Sequence, residues 1–161
     1  MSGALRSGFL ALMGLALALA ACPSCAAPSG DSDDQALLAD QNYAAALVAL
    51  KTDNAAAALP HLNLALKRFP ENADVHNELG FAYRRMQQLD KALEHYKRAL
   101  EINPTHRGAH EYIGEAYLML NDVPSAERHL AALRSICVMS CEESQDLEKA
   151  IALHGVQKTL R

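Results

Sequence analysis

The sequence has no tryptophan, and aromatic residues make up only 5% of its 161 positions. Bulk must come from smaller side chains. Half of the chain is apolar, dominated by Ala and Leu, the strongest apolar helix formers, so a helical chain is expected. Positive charge is also scarce: 15 Lys and Arg stand against 19 Asp and Glu, a formal charge of −4. That excludes a broad electrostatic footprint for nucleic acid. The basic pairs that do occur, Lys67 with Arg68 and Lys97 with Arg98, fall late in expected helices, where they complement the helix dipole. Catalytic patterns are missing as well. There is no Gly-x-Ser-x-Gly elbow and no Gly-rich phosphate loop. His110-Glu111 begins like the zinc-protease H-E-x-x-H, but the last position is Gly114. No catalytic residue, metal or cofactor is expected, and the chain reads as a non-enzyme.

What is present begins with a leader. Arg6 precedes an uncharged run from Gly8 to Ala21, too short for a comfortable transmembrane helix and laid out like a secretory signal. The run ends in Leu19-Ala20-Ala21-Cys22, which resembles the bacterial lipobox, whose Cys takes the lipid and becomes the mature N-terminus. Residues 1–21 are expected to be a signal peptide and Cys22 the lipidation site. Ordinary cleavage near Ala26 or Ala27, or an uncleaved anchor, is the alternative. Residues 22–34, rich in Pro, Ser, Gly and Asp, read as a flexible tether. The expected location is the periplasmic side of a bacterial envelope, with membrane contact through the lipid.

Residues 35–161 are expected to form one domain, and about 39 to 137 carry a period. His76-x-x-Leu79-Gly80-x-x-Tyr83 is followed by Ala92-x-x-x-Tyr96, Ala99 and Pro104. Thirty-four positions later come His110-x-x-Ile113-Gly114-x-x-Tyr117, then Ala126, Leu130 and Leu133. Thirty-four earlier lies a worn copy: Asn42, Ala45, Ala46, Ala49, Ala58, Leu62, Ala65 and Pro70. This pattern resembles the tetratricopeptide repeat, a 34-residue helix–turn–helix unit. The family's usual Trp is His76 and His110 here, and the third copy has Val138 where the closing Pro belongs. The resemblance implies an all-α, right-handed α-solenoid of three units (about 39–72, 73–106 and 107–137) and a capping helix (about 141–157). Helices are expected near 33–51, 55–68, 73–87, 89–102, 107–120 and 123–136. The last helix should start at a capping box, Ser140-x-x-Glu143. Gly80 and Gly114 should mark close helix approaches, since a helical Gly costs about 1 kcal/mol against Ala. Pro60 should bend its helix or shift its start.

The resemblance also implies a concave groove lined by the first helix of each pair. Its exposed positions would be Tyr43, Leu47, Asn77, Phe81, Arg84, Glu111, Glu115 and Leu118. That lining is apolar, then basic and aromatic, then acidic, and suits an extended or helical segment of an envelope protein. Some family members clamp a partner's terminal carboxylates; Glu111 and Glu115 would repel such a ligand.

Cys137 and Cys141 flank Val-Met-Ser. Four apart on a continuous helix they would be too distant to bond, so a disulfide requires the chain to leave helix there. A local disulfide is expected; a thiol-redox pair, a soft-metal site for copper with Met139, and free thiols are the alternatives. His61, His95 and His129 recur at 34-residue spacing, one per second helix, too far apart to share a metal, and are expected to pack.

Overall fold

The computed structural model describes residues 30–159. Every regular element among them is a helix: α1 (Gly30–Leu38), α2 (Gln41–Lys51), α3 (Ala55–Arg68), α4 (Ala73–Arg85), α5 (Leu89–Ile102), α6 (Arg107–Met119), α7 (Val123–Ile136) and α8 (Glu142–Thr159). Helices α2 and α3, α4 and α5, and α6 and α7 pack as pairs, and α8 packs on both α6 and α7. The expected leader and Cys22 lie outside the described residues. No described helix is long and apolar enough to cross a membrane.

The helices start where side chains answer free amides. Asp40, Asn54, Asn72 and Asp122 each accept from backbone N–H groups of the first turn that follows. Each pair is joined by the same turn. Asp53, Gln87 and Asn121 have φ of 56°, 60° and 59°, and they are 34 residues apart. Beside them, Asn54 N–H donates to the Ala49 carbonyl, Gln88 to Tyr83 and Asp122 to Tyr117, a Schellman closure repeated at the repeat period.

The core is small-residue packing with a few large plugs. Ala46, Ala58, Ala65, Ala82, Ala92, Ala99, Ala116 and Ala126 are fully buried, which lets helices approach closely. A Cβ on Gly80 would lie 2.5 Å from a ring carbon of Tyr96, and one on Gly114 would lie 2.6 Å from Leu147 Cδ2. Tyr96 and Leu147 are themselves fully buried. Burying such side chains contributes about 3 kcal/mol each.

Several expectations need correcting. The helix expected over 33–51 is two helices, and α1 starts at Gly30, inside the stretch expected as tether. The break lets Leu37 enter the core, where it is 1% exposed. It also places Asp40 to cap α2 and pair with Arg68. The expected capping box is not formed. Helix α8 begins at Glu142, the Cys141 carbonyl accepts from Gln145 N–H, and Ser140 Oγ instead accepts from Gln145 Nε2. Pro60 does not shift its helix, which starts at Ala55 and runs through it. The carbonyl it leaves unanswered belongs to Ala56, an exposed residue that water can reach.

Candidate functional site

Between α4 and α6, side chains gather around one cation. Arg84 on α4 lies over the Phe81 ring at 5.3 Å and the Tyr112 ring at 5.4 Å. Its Nη1 is 2.8 Å from Glu115 Oε2, and its Nε donates to Tyr96 Oη at 3.3 Å. Phe81 and Tyr112 meet at 5.2 Å between centroids, tilted by 51°. Two ring faces and a carboxylate therefore hold the guanidinium from three sides. Only 14% of the Arg84 side chain and 27% of the Glu115 side chain remain exposed. Next to this stack, Arg84, Glu115, Leu118, Met119, Leu153 and His154 line an open hollow of about 470 Å³ between α4, α6 and α8.

This arrangement corrects the expected lining. Arg84 is spent inside the molecule, so it is not a free basic contact, and Glu115 is spent with it. Tyr43, Asn77 and Leu118 are buried at 6%, 5% and 6% exposure, not open groove positions. Tyr43 and Leu118 belong to the core clusters, because a ring and a branched chain at inter-helix positions lose more water contact inward than outward. Leu47, Phe81 and Glu111 are half-buried, and Leu47 packs against the first core cluster. The charge that remains is acidic. Burial pushes the Glu111 carboxyl up to about 7, with Glu115, Asp146 and Glu143 adding repulsion. Burial pushes Glu78 up to about 7 as well, against the Asn77 amide that donates to it at 3.3 Å. Glu78 and Tyr112 were not among the expected groove residues. Both follow an expected one, Asn77 and Glu111, in sequence, so a wider stripe would have caught them.

Behind the groove lies a feature that the spacing of the histidines did not suggest. His76 Nε2–H donates to the Pro70 carbonyl at 3.1 Å. A carbonyl only accepts, so the neutral ring's Nδ1 is bare and accepts from His95 Nδ1–H at 3.1 Å. His110, Pro104 and His129 repeat this at 3.0 and 2.9 Å. Tyr83 stacks on His95 at 5.5 Å and Tyr117 on His129 at 5.8 Å. In the first repeat Asn42 meets His61 at 3.5 Å. The signal was a constant 19-residue offset: 42 to 61, 76 to 95 and 110 to 129. Each unit thus ties its first helix to its second, and repeats two and three also tie the first helix to the preceding closing proline.

A 34-residue repeat of paired helices, with Gly under Tyr and small residues at the crossings, defines a family. The tetratricopeptide-repeat family model matches residues 73–106. Residues 73–106 are a tetratricopeptide repeat. The solved complex of the yeast Sti1 TPR2B domain with pHsp70 is similar at TM-score 0.66 and 17% identity, covering 73% of this chain and 95% of that one. The MamA 41-end structure from Desulfovibrio magneticus RS-1 is similar at TM-score 0.57 and 22% identity, over 67% of this chain and 68% of that one. The MamA RS-1 ArsTM double mutant reaches 26% identity at TM-score 0.57, over 72% and 65%. No curated protein matches the chain in sequence. The fold is that of the tetratricopeptide α-solenoid, and the family supports a protein-interaction scaffold.

Cys137 and Cys141 sit where α7 has ended and α8 has not begun, with Cα atoms 5.9 Å apart and the sulfurs paired. The turn between them exposes Val138 and Met139. Among the described residues no group of His, Cys, Asp and Glu converges to hold a metal.

Proposed function

We propose that this tetratricopeptide-repeat protein is a non-catalytic adaptor on the periplasmic side of a bacterial envelope, anchored by a lipid on Cys22. Its concave groove would take an extended or helical segment of another envelope protein. The observation that carries the binding reading is the Phe81–Arg84–Tyr112 stack. It fixes a rigid aromatic platform, the two rings half-buried around a neutralised guanidinium, beside an open hollow of mixed polar and apolar lining. Arg6, the apolar run and Leu19-Ala20-Ala21-Cys22 support the envelope reading. The narrower second reading, a thiol-redox or copper accessory, rests on the exposed Cys137–Cys141 turn.

One experiment separates the two. The full chain is used to capture partners from membranes, with Phe81→Ala and Cys137→Ser as variants. Loss of the captured partner with Phe81→Ala, but not with Cys137→Ser, supports the groove. The reverse outcome replaces it with the thiol reading. The intact mass of the mature protein, with and without thiol alkylation, checks the lipid at Cys22 and the state of Cys137 and Cys141. A mature chain starting beyond Cys22 ends the anchor.

A further inference from the structure

Most charged side chains on the concave side already have a partner. Glu115 holds Arg84, Asp146 Oδ1 accepts from Lys149 Nζ at 2.7 Å, and Glu143 faces Arg107 Nε at 3.5 Å. Asp74 takes His106 Nε2 at 2.9 Å. Two carboxylates are left. Among the described residues Glu111 has no hydrogen-bond or ion-pair partner, and Glu78 has only the Asn77 amide. Beside Glu78, Asn77 is 5% exposed, and its Oδ1 is buried without a partner. Turning that amide over gives no relief while Glu78 is ionised, because Oδ1 would then face the Glu78 carboxylate, acceptor against acceptor. An unanswered buried acceptor costs about 1–3 kcal/mol.

The unmet groups are therefore of one kind. With both carboxyls ionised, Asn77 Oδ1, the second oxygen of Glu78 and both oxygens of Glu111 all accept, and the set carries negative charge. Its complement is a group made only of donors with positive charge; Lys supplies three N–H donors and Arg five. We infer that the groove's partner is a basic segment, whose Lys or Arg side chains seat against Asn77, Glu78 and Glu111 between α4 and α6. This rests on the groove reading above and names the chemistry of its partner. Arg84 shows the same face already holding a guanidinium with rings and a carboxylate, and Tyr112 lies in the field of both Glu111 and Glu78. Met119 and Leu153, which line the hollow beside Arg84 and Glu115, suit apolar residues between the basic ones. Because burial holds Glu78 and Glu111 up at about 7, a bound cation draws out their protons, and binding tightens as pH rises from about 6 to 8.

The test is selection of a random displayed peptide library on the full chain. The selected peptides are then titrated against wild type, Glu111→Gln, Glu78→Gln and Phe81→Ala. The expected result is enrichment of Lys and Arg among apolar residues, with affinity reduced about tenfold by either Gln variant and reduced by added salt. Acidic or neutral peptides whose binding needs Phe81 would overturn the charge inference and leave the groove reading standing. Basic peptides that bind equally well to both Gln variants would do the same. No enrichment at all, or peptides indifferent to Phe81→Ala, would sink the groove reading too. Sedimentation of the full chain covers the remaining occupant: a dimer abolished by Glu111→Gln would replace the basic partner with a second copy.

Discussion

The second and third repeats carry the same motif and close it with different parts. In the second, Gly80 lies under Tyr96, which comes from the other helix of the same pair. In the third, the residue 34 positions after Tyr96 is Leu130, too small to reach, and Gly114 is covered by Leu147 from α8. One unit fills its crossing from within; its neighbour borrows the plug from the capping helix. Helix α8 is therefore core as well as cover. Tyr96→Ala should cost about 4 kcal/mol and loosen α4 to α7 together. Leu147→Ala should cost about 3 kcal/mol, felt first in α6 to α8. Urea unfolding gives the sums, and residue-resolved hydrogen exchange gives the location. If Leu147→Ala speeds exchange equally in all helices, the two repeats do not differ in the way argued.

The glycines test the same contrast from the other side. A Cβ on Gly80 meets three Tyr96 ring carbons between 2.5 and 2.9 Å, and a fully buried ring has nowhere to turn. Gly80→Ala should cost about 2 kcal/mol, even after the gain in helix propensity. At Gly114 the obstacle is the branched end of Leu147, equally buried but an aliphatic chain with two soft torsions instead of a rigid ring, on the last described helix. Gly114→Ala should cost about 1 kcal/mol or less. Thermal melts should show a drop of about 6 °C for the first and at most about 3 °C for the second. Equal drops would mean that Leu147 is as immobile as Tyr96.

The period carried most of the fold, because 34-residue spacing of Gly, Ala and Tyr encodes helix crossings directly. It could not carry the break before Asp40. That break depends on Leu37 finding a core site and Asp40 finding Arg68, contacts that no local pattern records. The start of α8 was misplaced because Ser140 and Glu143 have capping-box spacing, while the Cys141 turn sets the helix one residue later. The site was less legible. Position on a helix said that Arg84 faces the groove, but only the fold shows that Glu115, one repeat on, neutralises it. The histidines recur at 34, which in sequence makes them a column; their contacts run at 19, across the pair.

Those histidine pairs give the smallest and most specific expectation. Burial lowers His76 and His95 from the ordinary imidazole value, and lowers His129 furthest, to about 4. An unfolded imidazole takes its proton near 6.5, so between there and about 4 the unfolded chain binds more protons and stability falls as pH falls. Glu78 and Glu111 work in the opposite sense. Their folded values near 7 exceed the ordinary carboxyl value of 4.5. Their contribution is complete below about 4.5 and is lost as pH rises through about 7. The two effects oppose each other over the shared window, which leaves the wild type with a shallow acid slope. Melting temperatures at pH 7.5 and 5 should separate them. Glu78→Gln with Glu111→Gln removes the opposing carboxylates and should steepen the acid loss. His129→Gln should flatten it more than His95→Gln does, since the third repeat holds the more strongly shifted ring. Equal slopes in the two histidine variants would show that the repeats differ in how they fill their crossings and not in how they hold their imidazoles.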